Sequence, residues 1–161
     1  MMTALKNSTA RAIADVAEGM ILATIDIAVP VERVFRAITS AEVALWWGSP
    51  DLYRVMKWTG DLRVGGTWRS EGVSKDGKPF SVHGEFREVI PPSKLVQTWQ
   101  YDWDTTNSIT TITWRLTTIE GGTRVVIRHE GFADAHEACA GHANGWERVL
   151  TWLSLHWGQS S

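Results

Sequence analysis

The sequence has little cysteine, no excess of basic residues and no long hydrophobic run. Its single cysteine, Cys139, excludes an internal disulfide and is typical of a reducing compartment. The 16 Lys and Arg residues face 18 Asp and Glu residues, a net charge of -2, so no positive field attracts nucleic acid or anionic lipid. Asp15, Glu18 and Asp26 interrupt the apolar stretches near the N-terminus, which therefore predict neither a secretory signal nor a membrane span. These absences predict a cytoplasmic protein with no nucleic-acid or membrane partner.

Tryptophan is abundant although the other aromatic residues are scarce. The chain has 161 residues, 43% of them hydrophobic and 21% charged, which is typical of one globular domain. It contains 10 Trp but only 2 Tyr and 4 Phe. Because an indole has a large apolar body and one N–H donor, this number indicates either a heavily aromatic core or an aromatic-lined cavity.

The N-terminal third predicts an arm, a strand and two short helices. Residues 1–19 are small and polar and predict a loosely attached N-terminal arm with a short helix that ends at Gly19. Residues 20–161 then form a single domain. Apolar residues alternate from Met20 to Val29, which predicts the first strand. Pro30 opens one short helix, and a second short helix ends at Gly48.

The remainder predicts a sheet followed by a long helix. Between residues 52 and 129, β-branched and aromatic residues predict six further antiparallel strands, seven in all. The expected turns are at residues 65–66, 76–77, 91–92, 105–107 and 121–122. Residues 135–157 predict a helix with one apolar stripe, which needs an apolar partner. We therefore predict an α+β fold in which a curved, seven-stranded antiparallel sheet wraps around the long C-terminal helix.

Several short motifs, taken in order, resemble a known superfamily. They are Pro30-x-x-x-Val34-Phe35, Trp46-Trp47-Gly48-Ser49-Pro50, Asp61-Leu62-Arg63-Val64-Gly65-Gly66-Thr67-Trp68, Gly84-Glu85-Phe86, Leu95-Val96-x-Thr98-Trp99, His129-Glu130-Gly131-Phe132 and Gly145-Trp146-x-x-Val149-Leu150. The match spans about residues 20–157 and resembles the START-like helix-grip (SRPBCC) superfamily, within it the homologues of the activator of the 90-kDa heat-shock protein ATPase. The resemblance implies a helix-grip fold, in which many members hold a hydrophobic ligand between sheet and C-terminal helix. Some members are cyclases or aromatases, and others stimulate the chaperone ATPase.

Alternation places several large side chains on the inner face of the sheet and helix. Five of them are the tryptophans Trp58, Trp68, Trp99, Trp114 and Trp146. The other residues that we expect to line a cavity are Trp47, Met56, Gln97, His129, Leu150 and Leu153. Aromatic walls with few polar groups are typical of small-molecule pockets, and the alternative is a solid aromatic core.

His129 is a weak candidate for a catalytic residue. It alternates with the inward-facing Val125 and Ile127, so its imidazole, which titrates near neutral pH, should point inward. One interpretation is a general base, and the other is a buried, neutral, hydrogen-bonded histidine. Acid–base catalysis requires a second positioned group, and the inner face otherwise offers mainly Gln97 and Ser70. The sequence therefore favours binding over catalysis.

Two other motifs do not support a cofactor. His136, Cys139 and His142 are three residues apart, but on a helix such residues drift by about 60° per step, so we expect no metal site. The glycine-rich segment 61–66 precedes a strand and not a helix, which indicates a hairpin turn and not a phosphate loop. We expect neither a metal nor a cofactor.

The predicted function is the binding of a hydrophobic or aromatic small molecule in a cavity between sheet and C-terminal helix. The alternatives are a cyclase- or hydrolase-like enzyme that uses His129, and a protein-binding module like a co-chaperone. Trp152 and Leu155 lie off the buried stripe of the helix and predict a homodimer contact.

Overall fold

The computed structural model describes residues 7–102, 109–132 and 136–158. The strands are β1 (Arg11–Asp15), β2 (Met20–Ile27), β3 (Gly48–Ser49), β4 (Tyr53–Gly60), β5 (Thr67–Ser74), β6 (Pro79–Ile90), β7 (Lys94–Tyr101), β8 (Thr110–Ile119) and β9 (Gly122–Glu130). The helices are α1 (Val31–Thr39), α2 (Val43–Trp46) and α3 (His136–His156). The strands form one antiparallel sheet in the order β1-β2-β9-β8-β7-β6-β5-β4-β3. The α+β helix-grip architecture is confirmed, but the sheet has nine strands and not seven.

The two additional strands lie at the edges of the sheet. The two-residue β3 pairs with β4. The helix predicted before Gly19 is wrong, because Arg11–Asp15 form β1 and pair with β2 at five positions. This pairing satisfies the backbone of an Ala-rich segment whose local sequence favours a helix. The arm is also held further upstream: the Asn7 amide accepts from the Ala28 N–H at 2.8 Å and donates to the Ser154 carbonyl at 3.1 Å. Its described part is therefore not loosely attached.

The predicted hairpin turns lie where the sequence places them. They separate β4 from β5, β5 from β6, β6 from β7 and β8 from β9. The turn expected at residues 105–107 lies outside the described residues. In the turn after β4, Gly65 has a φ of +85°, which a side chain would strain, and Arg63 Nε donates to Asp61 Oδ2 at 2.6 Å. The segment 61–66 is thus a braced hairpin turn.

The helices cover different parts of one sheet face. The long helix α3 packs mainly on β1 and β2, whereas α2 packs on β4 and α1 packs on β8 and β9. The apolar stripe of α3 is buried as predicted, and Leu150 and Leu153 have no exposed surface. This arrangement leaves the middle strands to face a space that α1 and α2 close. Among the described residues, no helix is long and apolar enough to cross a membrane.

Candidate ligand-binding site

The larger of two adjoining cavities lies over the middle strands. Its volume is about 360 Å³. Five indoles contribute to its walls: Trp47 after α2, Trp58 from β4, Trp68 from β5, Trp99 from β7 and Trp114 from β8. Ile38 of α1 and Val43 of α2 lie on the opposite side. Period-two alternation brings the strand residues to one face, since successive side chains of a strand point to opposite faces.

Four of these five indoles are joined in one aromatic wall by ring contacts, directly or through Trp146, whereas Trp58 contacts Phe86. Trp47 stacks on Trp99 with ring centroids 5.9 Å apart and planes 21° apart. Trp68 lies against Trp99 at 5.5 Å. Trp146 from α3 meets Trp47 at 6.0 Å and Trp114 at 5.5 Å, in both cases edge to face. Such contacts stabilise ring orientations beyond simple burial, so this wall is preorganised.

The smaller cavity, of about 190 Å³, lies under the first half of α3. Gly141, His142, Gly145 and Trp146 contribute the helix side, and His129 contributes the sheet side. It shares Trp47, Tyr53, Trp99 and Tyr101 with the larger cavity. The prediction of one cavity between sheet and C-terminal helix is therefore only partly right. The residues that line both cavities, Trp47, Tyr53, Trp99 and Tyr101, lie between them, so α3 lines the smaller cavity and α1 and α2 close the larger one.

Few polar groups line the larger cavity. Gln97 is 7% exposed and accepts the indole N–H of Trp114 on its Oε1 at 3.1 Å. Ser70 is 4% exposed. The Tyr53 hydroxyl accepts the Trp47 indole N–H at 3.2 Å, and burial raises the pKa of this phenol. No charged side chain is found among the described residues that line the cavity. The site therefore offers neutral hydrogen bonding within an apolar surround.

His129 lies in a closed chain of hydrogen bonds. The indole N–H of Trp146 donates to His129 Nδ1 at 3.0 Å, which leaves the ring proton on Nε2. That Nε2–H donates to Thr110 Oγ1 at 2.7 Å, and the Thr110 hydroxyl donates to the Trp99 carbonyl at 3.3 Å. Burial, with a smaller effect of His142, lowers the pKa of His129 well below its usual value. His129 is thus the buried, neutral, hydrogen-bonded histidine of the second interpretation, and neither nitrogen is free to take a proton from a ligand.

Two other titratable side chains of α3, His142 and Cys139, are described near His129. His142 is partly buried 5.5 Å from the His129 ring, and burial lowers its pKa. Cys139 is buried, its Sγ lies 3.7 Å from the Met20 carbonyl oxygen, and burial raises the pKa of its thiol. The side chain of His136 lies outside the described residues. Among the side chains that are described, no group of three His, Cys, Asp or Glu residues is arranged to hold a metal ion.

Three residues predicted to line the cavity do not do so. Met56 is 59% exposed. A β-bulge between Val55 and Lys57 shifts the register of β4, so that Val55 and Trp58 face inward instead. Leu150 and Leu153 are fully buried in the packing of α3 and line neither cavity.

Two further tyrosines, Tyr53 and Tyr101, line both cavities and were not predicted from the sequence. Tyr101 was within reach of the sequence, because it continues the alternation of Leu95, Gln97 and Trp99 by two residues. Tyr53 was not, because the bulge in β4 reverses the alternation that precedes Trp58. Tyr53 also packs edge to face on Trp152 at 5.6 Å, so Trp152 is half-buried within the chain and not fully free for a partner.

Comparison with known proteins supports this architecture. Residues 28–156 match the model of a family described as Activator of Hsp90 ATPase homolog 1-like protein. A crystal structure of a protein from Rhodobacter sphaeroides is similar with a TM-score of 0.77 at 19% identity, over 92% of this chain and 97% of that one. Protein CV1439 from Chromobacterium violaceum has a TM-score of 0.70 at 25% identity, over 84% of this chain and 94% of that one. Protein Ms6760 from Mycobacterium smegmatis has a TM-score of 0.74 at 19% identity, over 89% of this chain and 93% of that one. No curated protein matches the sequence significantly.

Proposed function

The chain belongs to the Activator of Hsp90 ATPase homolog 1-like family, and from that premise we propose that it binds a hydrophobic or aromatic small molecule in the larger cavity. The observation that carries the proposal is a cavity of about 360 Å³ with five indoles and no charged residue among its described lining. Ligand pockets are typically of this size and of this mainly apolar character.

The driving force for ligand binding is the release of water that an apolar wall holds weakly. A cavity of about 360 Å³ is large enough to hold several water molecules. Few polar groups are present to bond them, so an apolar ligand that displaces them gains roughly 25 cal/mol for each Å² of apolar surface buried. The preformed indole wall reduces the entropic cost of binding.

The enzyme alternative is less well supported. Its named candidate, His129, donates to Thr110 and accepts from Trp146, so its two nitrogens are already used within the fold. The co-chaperone alternative rests on the family description alone, whereas the cavity is a specific feature of this chain. We also propose a cytoplasmic location, for which the single free cysteine is the support.

The proposal is tested with N-phenyl-1-naphthylamine, a neutral probe that fluoresces in apolar surroundings. We expect saturable binding with a stoichiometry near one, together with a change in tryptophan emission. Val82→Phe places a larger ring in the cavity lining and should weaken binding at least ten-fold. Thr117→Phe, on the exposed face of β8, adds the same ring outside the cavity and should bind like the wild type. Equal binding by wild type and Val82→Phe would place the probe elsewhere and contradict the proposed site.

A further inference from the structure

Two buried polar side chains of the larger cavity have hydrogen-bonding capacity that the fold leaves unused. The Oε1 of Gln97 is identified by the Trp114 indole N–H, which can only donate, so the amide nitrogen Nε2 carries the two N–H donors. Within the described part of the chain, that nitrogen makes no hydrogen bond, and neither does the hydroxyl of Ser70. Both residues line the cavity and are more than nine-tenths buried.

Both groups reach the cavity, because the fully enclosed side-chain polar atoms without a partner in the described part of the chain include neither of them and consist of Trp99 Nε1 alone. A guest that excludes water from Gln97 and Ser70 must replace the hydrogen bonds of that water, since a desolvated polar group without a partner is costly. An amide N–H donates, so the guest must present an acceptor such as a ketone or amide oxygen at Gln97. A hydroxyl can donate or accept, so Ser70 accommodates either a carbonyl or a hydroxyl of the guest.

The strand register shows how far apart these two groups lie. Ser70 of β5 is level with Val82 of β6, and Val82 is level with Tyr101 of β7. Gln97 lies four residues before Tyr101 on the same strand, so its backbone is two strands across and four residues along from that of Ser70. With about 4.8 Å between strands and about 3.3 Å per residue, the two backbones are about 16 Å apart when measured along the sheet, and the curvature of the sheet brings their side chains closer together. The polar groups therefore address opposite ends of an elongated guest.

The electrostatics of the lining restrict the charge of the guest. Since no described residue of the cavity is charged, an ionised ligand would be buried without a counter-ion, which is strongly unfavourable. The indole faces favour a flat aromatic body between the two polar ends.

We propose that the ligand is an elongated, uncharged aromatic molecule that bears an oxygen acceptor bonded by Gln97 Nε2 at one end and a second neutral polar group bonded by Ser70 at the other. This inference rests on the proposed function, because it specifies the chemistry of the same site. Gln97 and Ser70 are the specificity-determining residues, and the indoles supply affinity for the aromatic body.

The test compares planar probes that share one skeleton: fluorene, 2-acetylfluorene and 2-acetyl-7-hydroxyfluorene, with dissociation constants measured by equilibrium dialysis. Gln97→Met should raise the dissociation constants of both acetyl compounds about 5-fold and that of fluorene less than 2-fold, as expected for the loss of one net hydrogen bond. Ser70→Ala should raise the dissociation constant of the hydroxylated compound by about the same factor and leave those of the other two probes unchanged. Ile112→Val trims an apolar part of the lining and should affect all three probes equally.

The outcomes separate this inference from the proposed function. If the wild type binds the three probes and each polar variant changes the dissociation constants of all three probes by the same factor, the inference is overturned although ligand binding stands. If the wild type binds none of them and no N-phenyl-1-naphthylamine, the proposed function fails as well. Gln97→Met leaves the Trp114 N–H without its acceptor, so if this variant does not fold, Ser70→Ala decides, since that change removes no hydrogen bond within the described chain. Fluorene-2-carboxylate that bound at pH 8 as tightly as 2-acetylfluorene would overturn the neutral character of the ligand.

Discussion

Replacement of His129 by Gln should change both the stability of the protein and its dependence on pH. In the wild type, His129 accepts from Trp146 through Nδ1 and donates to Thr110 through Nε2. A Gln amide nitrogen reaches about as far as Nε2 and keeps the bond to Thr110, but it supplies no acceptor at the position of Nδ1. The buried indole N–H of Trp146 then loses its partner, which costs about 1–3 kcal/mol of unfolding free energy at pH 7.5.

The pH dependence follows from the lowered pKa of His129. Burial keeps the folded imidazole neutral, whereas the unfolded chain takes up a proton near the ordinary value of 6.5. The stability contributed by the neutral ring is therefore complete above pH 6.5 and is lost as the pH falls below it. The loss grows as the pH falls from 6.5 toward the lowered pKa of the folded imidazole. His142, whose pKa burial also lowers, adds a loss of the same sign.

The assay is urea denaturation followed by tryptophan fluorescence at several pH values between 5 and 7.5. The wild type should lose stability toward pH 5, and His129→Gln should lose less, so the gap between the two proteins narrows as the pH falls. His129→Asn is the matched control, because Asn reaches about as far as Nδ1 and loses the bond to Thr110 instead. His142→Gln should retain most of the wild-type slope. Parallel stability curves for wild type and His129→Gln would refute the assignment of a neutral, buried His129.

The remaining predictions concern backbone space and self-association. Gly84→Ala should be severely destabilising, because a Cβ there would lie 1.9 Å from the Thr98 carbonyl oxygen, whereas Gly141→Ala in α3 meets nothing within 4 Å and should stabilise by about 0.5–1 kcal/mol. Thermal unfolding of both variants checks this pair, and similar melting temperatures would contradict it. Leu155 is 46% exposed beside the half-buried Trp152, and we propose that the two form a homodimer contact. Trp152→Ala combined with Leu155→Ser should then shift the mass measured by light scattering from dimer to monomer, and a wild type that is monomeric at high micromolar concentration excludes this interface.

Much of the candidate site could be predicted from the sequence, because local periodicity determines which side chains share a face. Trp58, Trp68, Trp99 and Trp114 line the larger cavity as their alternation predicts. Gln97 follows the same rule, and its burial identifies the strongest polar feature of the lining. Whether these residues bind a ligand stays a prediction.

The errors arise where one local signal supports two structures. Val55 and Met56 are both apolar, so the composition of β4 does not reveal which of them the bulge turns inward. The Ala-rich segment Arg11–Asp15 satisfies a helical pattern, yet its backbone groups are bonded by β2. In each case the deciding contact comes from another strand, and its energy exceeds the small local preference.

The sequence by itself determined the order of the elements from β2 onward apart from the short β3, the seven central strands, the buried stripe of α3 and the inward indoles, since these depend on periods of two and of about 3.6 residues. Only the tertiary structure decided that the interior is divided into two cavities, because the division depends on packing such as the stack of Trp47 on Trp99, two residues that line both cavities. The same packing sets the protonation of His129, whose partner Trp146 is 17 residues away on another element. Periodicity is a property of neighbouring residues, whereas cavities and buried hydrogen bonds depend on side chains that only folding brings together.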